Sequence, residues 1–460
     1  MEREKLGSRL GFILLSAGCA IGVGNVWKFP YMTGAHGGGL FVLVYLIFLV
    51  VLGIPIMTME FAIGRASRKS PVLMYKELQP QKTKWHLHGY ASLGGNVILM
   101  MFYTCVTGWI LHYVIKMAKG DFNNVTAEGS NELFTQMTAN PGMQMIFVGI
   151  VIVIGVVVCM FGVKNSLEKV TKVTMVAMFI LMIAVAISCL FLSGAAEGLK
   201  FYLIPNFEAM KEAGISIFDI ITGAMSQAFF TLSLGIGSMA IFGSYLDKKR
   251  SLLGEAVSVA SLDTLVALIS GLIVFTACFT YNGGNVNAGP PLIFNVFPLV
   301  FSNMPLGQVW GTLFFVFLAF AALSTIFAVF ENIIACIMDL TKWSRKKASI
   351  IVGIGILVLS IPCVLGFNIW AGFTPFGNGS NVLDLEDFIV SNLLLPVGSL
   401  IVVLFCTHKK GWGYENFIEE ANLGKGMKVK KWMKGYLKYV LPVILTAFII
   451  INLLSFFNVI

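Results

Sequence analysis

The chain has 460 residues, of which 57% are hydrophobic and only 12% are charged. Because soluble proteins carry roughly twice that share of charged residues, the composition excludes an ordinary soluble protein or a string of soluble domains. Apolar runs of roughly 18 or more residues recur along the whole sequence, and each is long enough to cross a bilayer. The sequence therefore predicts an all-α, polytopic membrane protein.

The N-terminal apolar run has no small-residue cleavage site and leads into further spans. We therefore interpret it as a retained helix and not as a signal peptide. The eight cysteines all fall in apolar segments, and the sequence contains no CxxC motif. Neither a disulfide framework nor a metal-binding framework is expected.

Eleven membrane-spanning helices are predicted, at about 9–31, 38–64, 88–117, 143–161, 168–192, 215–246, 252–280, 308–340, 348–366, 387–407 and 436–458. With the N-terminus in the cytoplasm, this layout puts most of the 32 basic residues in cytoplasmic segments, as the positive-inside rule requires. The basic segments then face anionic lipid, which explains the net charge of +9 without a nucleic-acid partner. An odd number of spans puts the C-terminus outside the cell membrane.

The first span should be broken in its middle. Gly22 and Gly24 each weaken the helix by about 1 kcal/mol relative to Ala, and Pro30 has no backbone N–H to donate. Asn25 and Lys28 bring an amide and a charge to membrane depth, where they are costly. Broken backbone is tolerated there only where it is buried in protein or lines a cavity, so this segment predicts a binding site. The alternative is a glycine-rich face that packs against another helix.

The sixth span should carry a similar break. Gly235 and Gly237 again stand one residue apart, and the hydroxyl-bearing Thr231 and Ser233 precede them. Interrupted spans in matching positions of two halves indicate a transporter site between inverted repeats, a rule that is itself drawn from transporters of this architecture. The two breaks lie five spans apart, so the second half begins on the opposite side of the membrane. We expect one transporter domain over residues 1–460, with repeats at about 9–192 and 215–407 and an extra C-terminal helix at about 436–458.

A specific resemblance covers nearly the whole chain, and five motifs are its strongest parts: RLGFILLSAGCAIGVGNVWKFPYMTGAHGGGLFVLVYL, GIPIMTMEFAIGR, QAFFTLSLGIG, AFAALST and LDLEDF. The sequence resembles the neurotransmitter:sodium symporter family, in its bacterial amino-acid branch. The resemblance implies two inverted five-helix repeats, with helices 1 and 6 broken and with substrate and sodium bound at mid-membrane. Many members have a twelfth span that this chain lacks.

The resemblance implies two sodium sites. In the first, the ligands are the Ala20 carbonyl, the Asn25 side chain, Thr231 and Asp263, completed by the substrate carboxylate. In the second, they are the carbonyls of Gly18, Ile21 and Ala321 and the hydroxyls of Ser324 and Thr325. Neutral and anionic oxygens suit a small hard cation, and unwound backbone supplies them. The alternative for the two hydroxyls is a hydrogen bond within their own helix.

The resemblance also implies an amino-acid pocket at these breaks. The amides of Val23 and Gly24 should bind the substrate carboxylate at a half-helix N-terminus, and Tyr103 should donate a hydrogen bond to it. The substrate side chain would be surrounded by Leu99, Phe230, Ser233, Ile236 and Val329, and Ala20, Thr231 and Thr325 complete the pocket. Because the pocket is apolar, we expect a hydrophobic or aromatic amino acid. Without the motif, Phe230 and Ile236 would be interpreted as helix-packing residues.

Gates and supporting residues follow from the same resemblance. Lys28 and Asp387 match the outer basic–acidic pair, and a lysine in place of the commoner arginine predicts a looser contact. Arg3 and Asp339 match the cytoplasmic pair, with Tyr245 beside it, although Arg3 could instead serve topology alone. Glu60 should accept hydrogen bonds from the unwound backbone. Bacterial relatives often carry a helix-breaking proline where the fifth span has Val176. The sequence therefore does not predict how this helix would open a water path to the cytoplasm.

The sequence predicts transport without chloride. Animal relatives place a serine beside the first sodium site, and many bacterial relatives place a carboxylate there; here the position is Ala267, and the acid stands one turn earlier, as Asp263. One fixed negative charge lowers the cost of bringing a cation and an ammonium group into a site of low dielectric. The alternative is an Asp263 that is protonated and hydrogen-bonded within its helix.

The function predicted is therefore sodium-coupled import of an amino acid across the cell membrane. The rival is a proton-coupled or exchange-type carrier of the same architecture, in which Asp263, Glu60 or Asp387 carries the proton. An intramembrane enzyme is disfavoured, since the sequence has no HExxH or GxxxxGK[ST] motif and its five histidines do not cluster. A channel is disfavoured by two sodium sites. The expected partners are the substrate and membrane lipid, with the protein a monomer or a weak homodimer.

Overall fold

The computed structural model describes residues 6–284, 286, 291–377 and 379–456, so that Arg3 lies outside the described residues. The described chain is built from helices, with only isolated bridges between extended residues. In chain order the helices are α1 Arg9–Ala20, α2 Lys28–Ala35, α3 Gly39–Ser67, α4 Pro71–Leu78, α5 His86–Lys119, α6 Ala127–Ala139, α7 Pro141–Met160, α8 Val163–Leu190, α9 Ala195–Leu203, α10 Phe207–Glu212, α11 Ile217–Thr231, α12 Ser238–Tyr245, α13 Leu252–Tyr281, α14 Leu292–Ser302, α15 Gly307–Thr341, α16 Arg345–Leu365, α17 Val382–Thr407, α18 Tyr414–Ala421 and α19 Met433–Ser455.

Both predicted breaks are present. Between α1 and α2 the chain leaves the helix at Ile21, makes one tight turn at Val23–Asn25 and continues at an angle of 66°. Between α11 and α12, Gly235 and Gly237 adopt positive φ angles of 94° and 72°, which an L side chain would oppose. The two pairs of glycines therefore mark the places where the first and sixth spans unwind.

Nine helices of the described chain are long and apolar enough to cross a membrane, and the bent pair α1–α2 makes a tenth candidate. The two halves of the sixth span are each too short to be counted alone, so the total of eleven remains a prediction. Most boundaries agree with the predicted spans within a few residues. The tenth span begins earlier than predicted, at Val382, because Asn381 caps the helix by accepting hydrogen bonds from the Leu383 and Asp384 N–H groups.

The broken helices lie at the centre of the bundle. The long helix α15 packs against α5 and α8, α12 packs against α3, and α1 lies among α8, α13 and α15. Gly398 of α17 lies against the second break so closely that a Cβ atom there would be 2.0 Å from the Gly235 carbonyl oxygen. The outer helices α7, α8, α16 and α19 expose large apolar side chains, as helices in contact with lipid do.

Several spans contain a π-turn, a single wider turn with one extra residue. One of these turns, Val163–Leu167, begins α8. Another, Ile389–Leu394, interrupts α17. The turn in α17 lies between Asp387 and the stretch Leu395–Thr407 of the same helix. Such turns are frequent at functional sites.

The bundle has two ends with different chemistry. At one end, which we call the basic end, α1, α8 and α13 begin together: Glu168 accepts from the Gly7 N–H at 2.7 Å, and the Arg9 guanidinium pairs with Glu255 at 2.9 Å. The ends of α3, α12, α15 and α17 lie there too, and a buried ion pair between Arg65 and Glu420 joins α3 to α18. The opposite end holds α6, α9, α10 and α14.

Candidate functional site

A small cavity lies between the two breaks, at the centre of the bundle. Its volume of about 30 Å³ is room for about two water molecules. Residues from five helices and both breaks line it: Cys19, Ala20, Gly22, Gly24, Asn25, Leu99, Tyr103, Phe230, Thr231, Ser233, Ile236, Thr325, Val390 and Leu395. Of the predicted pocket residues, Val23 and Val329 are buried but do not line this cavity.

Three predicted ligands of the first sodium site meet beside the cavity: Asn25 and Thr231 line it, and Asp263 is hydrogen-bonded to both of them. Asn25 Nδ2 donates to Asp263 Oδ1 at 2.8 Å and to Thr231 Oγ1 at 3.1 Å, and Thr231 Oγ1 donates to Asp263 Oδ2 at 2.8 Å. Asp263 is fully buried, and the hydrogen bonds to its carboxylate come from neutral groups alone within the described chain. A buried carboxylate without a cationic partner is costly, so this cluster is chemically suited to a small cation.

The predicted second site brings α15 against the end of α1. Thr325 Oγ1 lies 3.2 Å from the Gly18 carbonyl oxygen and 3.1 Å from that of Ile21, and one hydroxyl can donate to only one of them at a time. Ser324 Oγ donates to Ala321 O at 2.7 Å, the bond within its own helix that the sequence left as an alternative. The five oxygens thus fall into two hydrogen-bonded groups on adjacent residues of α15, and all are neutral.

The unwound turn after α1 is held by Tyr103. Its hydroxyl accepts a hydrogen bond from the Val23 N–H at 3.0 Å, and Asn25 Oδ1 accepts from the Gly22 N–H at 3.1 Å. A Cβ atom on Gly22 would lie only 2.6 Å from the Tyr103 oxygen. The Val23 amide, which was predicted to bind a substrate carboxylate, is therefore satisfied by the tyrosine in this conformation.

The Phe230 ring covers the cavity towards the opposite end of the bundle. A Cβ atom on Gly24 would lie 2.2 Å from the ring, so glycine is needed for this close contact. The Lys28 ammonium lies 3.8 Å from the ring centroid and 3.8 Å from Asp387 Oδ2, whose other oxygen accepts from Ser391 Oγ at 2.7 Å. The predicted outer pair is thus brought together above the aromatic ring.

Two polar side chains hold the second break. Glu60 is fully buried and accepts hydrogen bonds from the Gly235 N–H at 2.6 Å and the Met239 N–H at 3.1 Å. Asn96 Nδ2 donates to the Ile236 carbonyl at 2.8 Å. Sequence reasoning missed Asn96, although an amide in the apolar run of the third span was a visible signal. It also missed Val390 and Leu395, which follow the LDLEDF motif on the same helix.

At the basic end, Asp339 Oδ2 accepts from the Ser70 N–H at 2.8 Å. Tyr245 donates to Glu331, which is fully buried and forms a two-pronged ion pair with Arg345, at 2.6 and 3.1 Å. Tyr245, Glu331 and Arg345 belong to three helices, and sequence reasoning assigned only the first of them. Glu331 and Arg345 lie on different helices, and no short sequence motif marks an ion pair between two helices.

Two further predicted positions are simple to place. Val176 is half-exposed on an unbroken stretch of α8, so the fifth span is continuous where relatives carry a proline. Ala267 is fully buried in α13, one turn after Asp263. No group of three or more His, Cys, Asp or Glu side chains in the described ranges is arranged to hold a metal ion.

Comparison with known proteins places this architecture. The model of the "Sodium:neurotransmitter symporter family" matches residues 3–125 and 132–459. The uncharacterized sodium-dependent transporter YhdH of Bacillus subtilis (strain 168) is 35% identical over 398 residues, which is 86% of each chain. An uncharacterized sodium-dependent transporter of Haemophilus influenzae is 30% identical over 462 residues, 98% of each chain.

A solved structure is also similar over its whole length. MhsT in complex with L-phenylalanine has a TM-score of 0.86 to this chain at 37% sequence identity, with 98% of this chain and 99% of that chain covered.

Proposed function

The chain belongs to the sodium:neurotransmitter symporter family, and from this premise we propose that it imports a hydrophobic or aromatic L-amino acid with sodium, without a need for chloride. The proteins that it matches are transporters and not enzymes. The observation that carries the proposal is the meeting of Asn25, Thr231 and Asp263 beside a cavity between two unwound helices.

The shape of the cavity supports an apolar substrate. Leu99, Phe230, Ile236, Val390 and Leu395 form most of its side-chain surface, whereas its polar groups lie at the breaks. Apolar walls with a few placed polar groups are typical of small-molecule sites. MhsT, which is similar in structure, is described with L-phenylalanine. An amino acid is larger than the present cavity, so Phe230 must swing away from Gly24 when substrate binds.

Two sodium ions are proposed as co-substrates. Asn25, Thr231, Asp263 and the Ala20 carbonyl would hold the first, and the substrate carboxylate would complete its shell. The five neutral oxygens contributed by Gly18, Ile21, Ala321, Ser324 and Thr325 would hold the second. Oxygen ligands of this kind suit hard cations. In this proposal the first ion also compensates the buried charge of Asp263.

We orient the basic end towards the cytoplasm, because lysine and arginine in short loops favour that side. The N-terminus is then cytoplasmic and the C-terminus lies outside. In this orientation Lys28, Asp387 and Phe230 form the outer gate, and the groups around Asp339 and Tyr245 form the inner one. Alternating access then requires each set of contacts to open in turn.

Chloride independence rests on two neighbouring residues. Ala267 has no polar atom with which to bind an anion, and Asp263 supplies a fixed negative charge one turn away. Replacing external chloride with gluconate should therefore leave initial uptake unchanged, whereas Asp263→Asn should cripple sodium-driven uptake. Loss of wild-type uptake in gluconate, or full activity of Asp263→Asn, would reject this assignment.

One experiment tests the proposed function as a whole. The purified protein is reconstituted in proteoliposomes, and uptake of a panel of radiolabelled amino acids is measured with and without an inward sodium gradient at fixed pH. We expect accumulation of one or more hydrophobic or aromatic amino acids only with the sodium gradient. Equal accumulation driven by a proton gradient alone would favour the proton-coupled rival.

A further inference from the structure

A groove that the transport site does not use opens at the basic end, between the start of α5 and the end of α17. Its volume is about 470 Å³, and its lining combines apolar and basic side chains: Lys84, Trp85, Leu87, His88, Ala91 and Ile401. None of these residues lines the central cavity. The groove therefore calls for a separate explanation.

The walls of the groove are apolar and face outward. Leu87 has 56% of its surface exposed, and Ala91 and Ile401 continue the same wall along α5 and α17. The position is fixed by Trp85, whose Nε1 donates to the Lys410 carbonyl at 2.7 Å and whose ring packs on Phe405 at 5.5 Å. The groove is thus a shaped surface that joins two helices and not a loose loop.

The rim of the groove is basic and is not neutralised by the protein. Lys84 lines the groove, and Lys410 lies beside it, because its carbonyl accepts from Trp85 Nε1. Both lysines are exposed, and neither has a carboxylate partner within 4 Å in the described chain. Two buried or half-buried arginines at this end are paired, Arg65 with Glu420 and Arg345 with Glu331. The uncompensated charge lies beside the apolar wall, where α5 begins.

We propose that this groove binds one anionic phospholipid from the leaflet at the basic end. The phosphodiester would lie between Lys84 and Lys410, with an acyl chain along Leu87, Ala91 and Ile401. Basic pockets between membrane helices are suited to anionic head groups, and the apolar wall gives a lipid an advantage over free phosphate. The proposal needs the chain to lie in a membrane but does not depend on which substrate it carries.

The lipid would connect two helices that build the central cavity. Leu99 and Tyr103 follow the groove residues on α5, and Leu395 precedes Ile401 on α17. A molecule seated between the two helices would oppose their separation. Binding should therefore raise the melting temperature of the full-length protein as well as fill the groove.

The site is tested by fluorescence quenching of the delipidated full-length protein in detergent. Phosphatidylglycerol with brominated acyl chains is titrated, with brominated phosphatidylcholine and plain inorganic phosphate as separate arms. We expect saturable quenching by the anionic lipid, which is lost in part in Trp85→Phe because that indole lies at the groove. Inorganic phosphate should not compete at concentrations equal to those of the lipid.

Charge variants provide the matched control. Lys84→Gln with Lys410→Gln should weaken binding of brominated phosphatidylglycerol about tenfold or more, since each basic residue near the head group contributes to attraction. Lys169→Gln with Lys346→Gln removes two exposed lysines from the same end but away from the groove, and should leave binding unchanged. Melting temperature in lipid-free detergent verifies that both pairs fold.

Three results would overturn the proposal. Equal quenching by the two brominated lipids would show an unselective apolar surface. Equal weakening by both lysine pairs would show attraction to the whole basic end. Displacement of the lipid by dilute phosphate would show a small-anion site.

Discussion

Tyr103 illustrates how much of the site depends on single polar atoms. Its hydroxyl is the acceptor for the Val23 N–H, and it lies at the cavity wall beside Gly22. If substrate binds as proposed, the same hydroxyl turns its hydrogen towards the substrate carboxylate while it continues to hold the unwound turn. One atom then serves both the backbone and the ligand.

Tyr103→Phe should weaken substrate binding by about 1.5–3 kcal/mol, because a hydrogen bond to a charged group is lost. Equilibrium binding of a radiolabelled substrate in saturating sodium measures the change. Tyr113→Phe is the matched control, since the Tyr113 hydroxyl is buried and has no hydrogen-bond partner in the described chain. An unchanged dissociation constant for Tyr103→Phe would show that this tyrosine does not contact the substrate.

Glu60→Gln should destabilise the second break by about 1–3 kcal/mol, because the two N–H groups at Gly235 and Met239 lose a charged acceptor. The fall in melting temperature of the purified protein tests this, with the exposed Glu77→Gln as control. If both variants have the same melting temperature as the wild type, the Glu60 carboxylate does not stabilise the second break.

At this scale the sequence located the residues of the motifs but not their partners. Asn25, Thr231 and Asp263 are brought together in the structure, yet their roles as sodium ligands stay predictions. Glu331 and Arg345 escaped sequence reasoning because a buried ion pair between two helices depends on how those helices pack. A single sequence does not show which residues of different helices will be in contact.

At the scale of elements, Glu331 ties three helices together at the basic end. It accepts from Tyr245 at the end of α12 and pairs with Arg345 at the start of α16, and Arg345 also donates to the Cys159 carbonyl of α7 at 3.3 Å. A half of the broken sixth span is thereby linked to helices of the surrounding bundle. We expect this link to break when the basic end opens.

Arg345→Gln should destabilise the protein by about 3–5 kcal/mol, because it leaves the Glu331 charge buried without its partner. Glu331→Gln combined with Arg345→Gln should recover part of that loss, since no unpaired charge remains. Melting temperatures of the two variants measure the difference. A double variant that is less stable than Arg345→Gln alone would show that the charge is not the cause.

Sequence reasoning was most successful for the elements themselves. The paired glycines identified both breaks, since few other features of an apolar run disfavour a helix so strongly. Helix ends were less certain, as at Val382, where the Asn381 cap extends the helix beyond the apolar run. The π-turns were not predicted, because the same apolar residues form an α-turn or a π-turn according to the packing around them.

At the scale of the whole molecule, the central cavity lies between two closed ends. Phe230, Lys28 and Asp387 cover it on one side, and the Tyr245 and Asp339 contacts hold the other. If substrate completes the first sodium site, the two ligands must stabilise each other across this enclosed space.

Sodium and substrate should therefore tighten each other's binding by the same factor, as thermodynamic linkage requires. The measurement is a pair of titrations on the wild-type protein: substrate at several sodium concentrations, and sodium with and without saturating substrate. Equal sodium affinity in the presence and absence of substrate would contradict a shared site.

The π-turn at Ile389–Leu394 has a consequence for the permitted length of the chain. Deleting one residue from an α-helix turns everything beyond it by about 100° and shifts it by about 1.5 Å, which would misplace either Asp387 or Leu395. Deleting one residue from the π-turn would instead leave an ordinary α-turn, with both halves of α17 still in phase. Homologues that are one residue shorter should carry their gap here, and a chain without Leu393 should fold and melt more like the wild type than one without Val402.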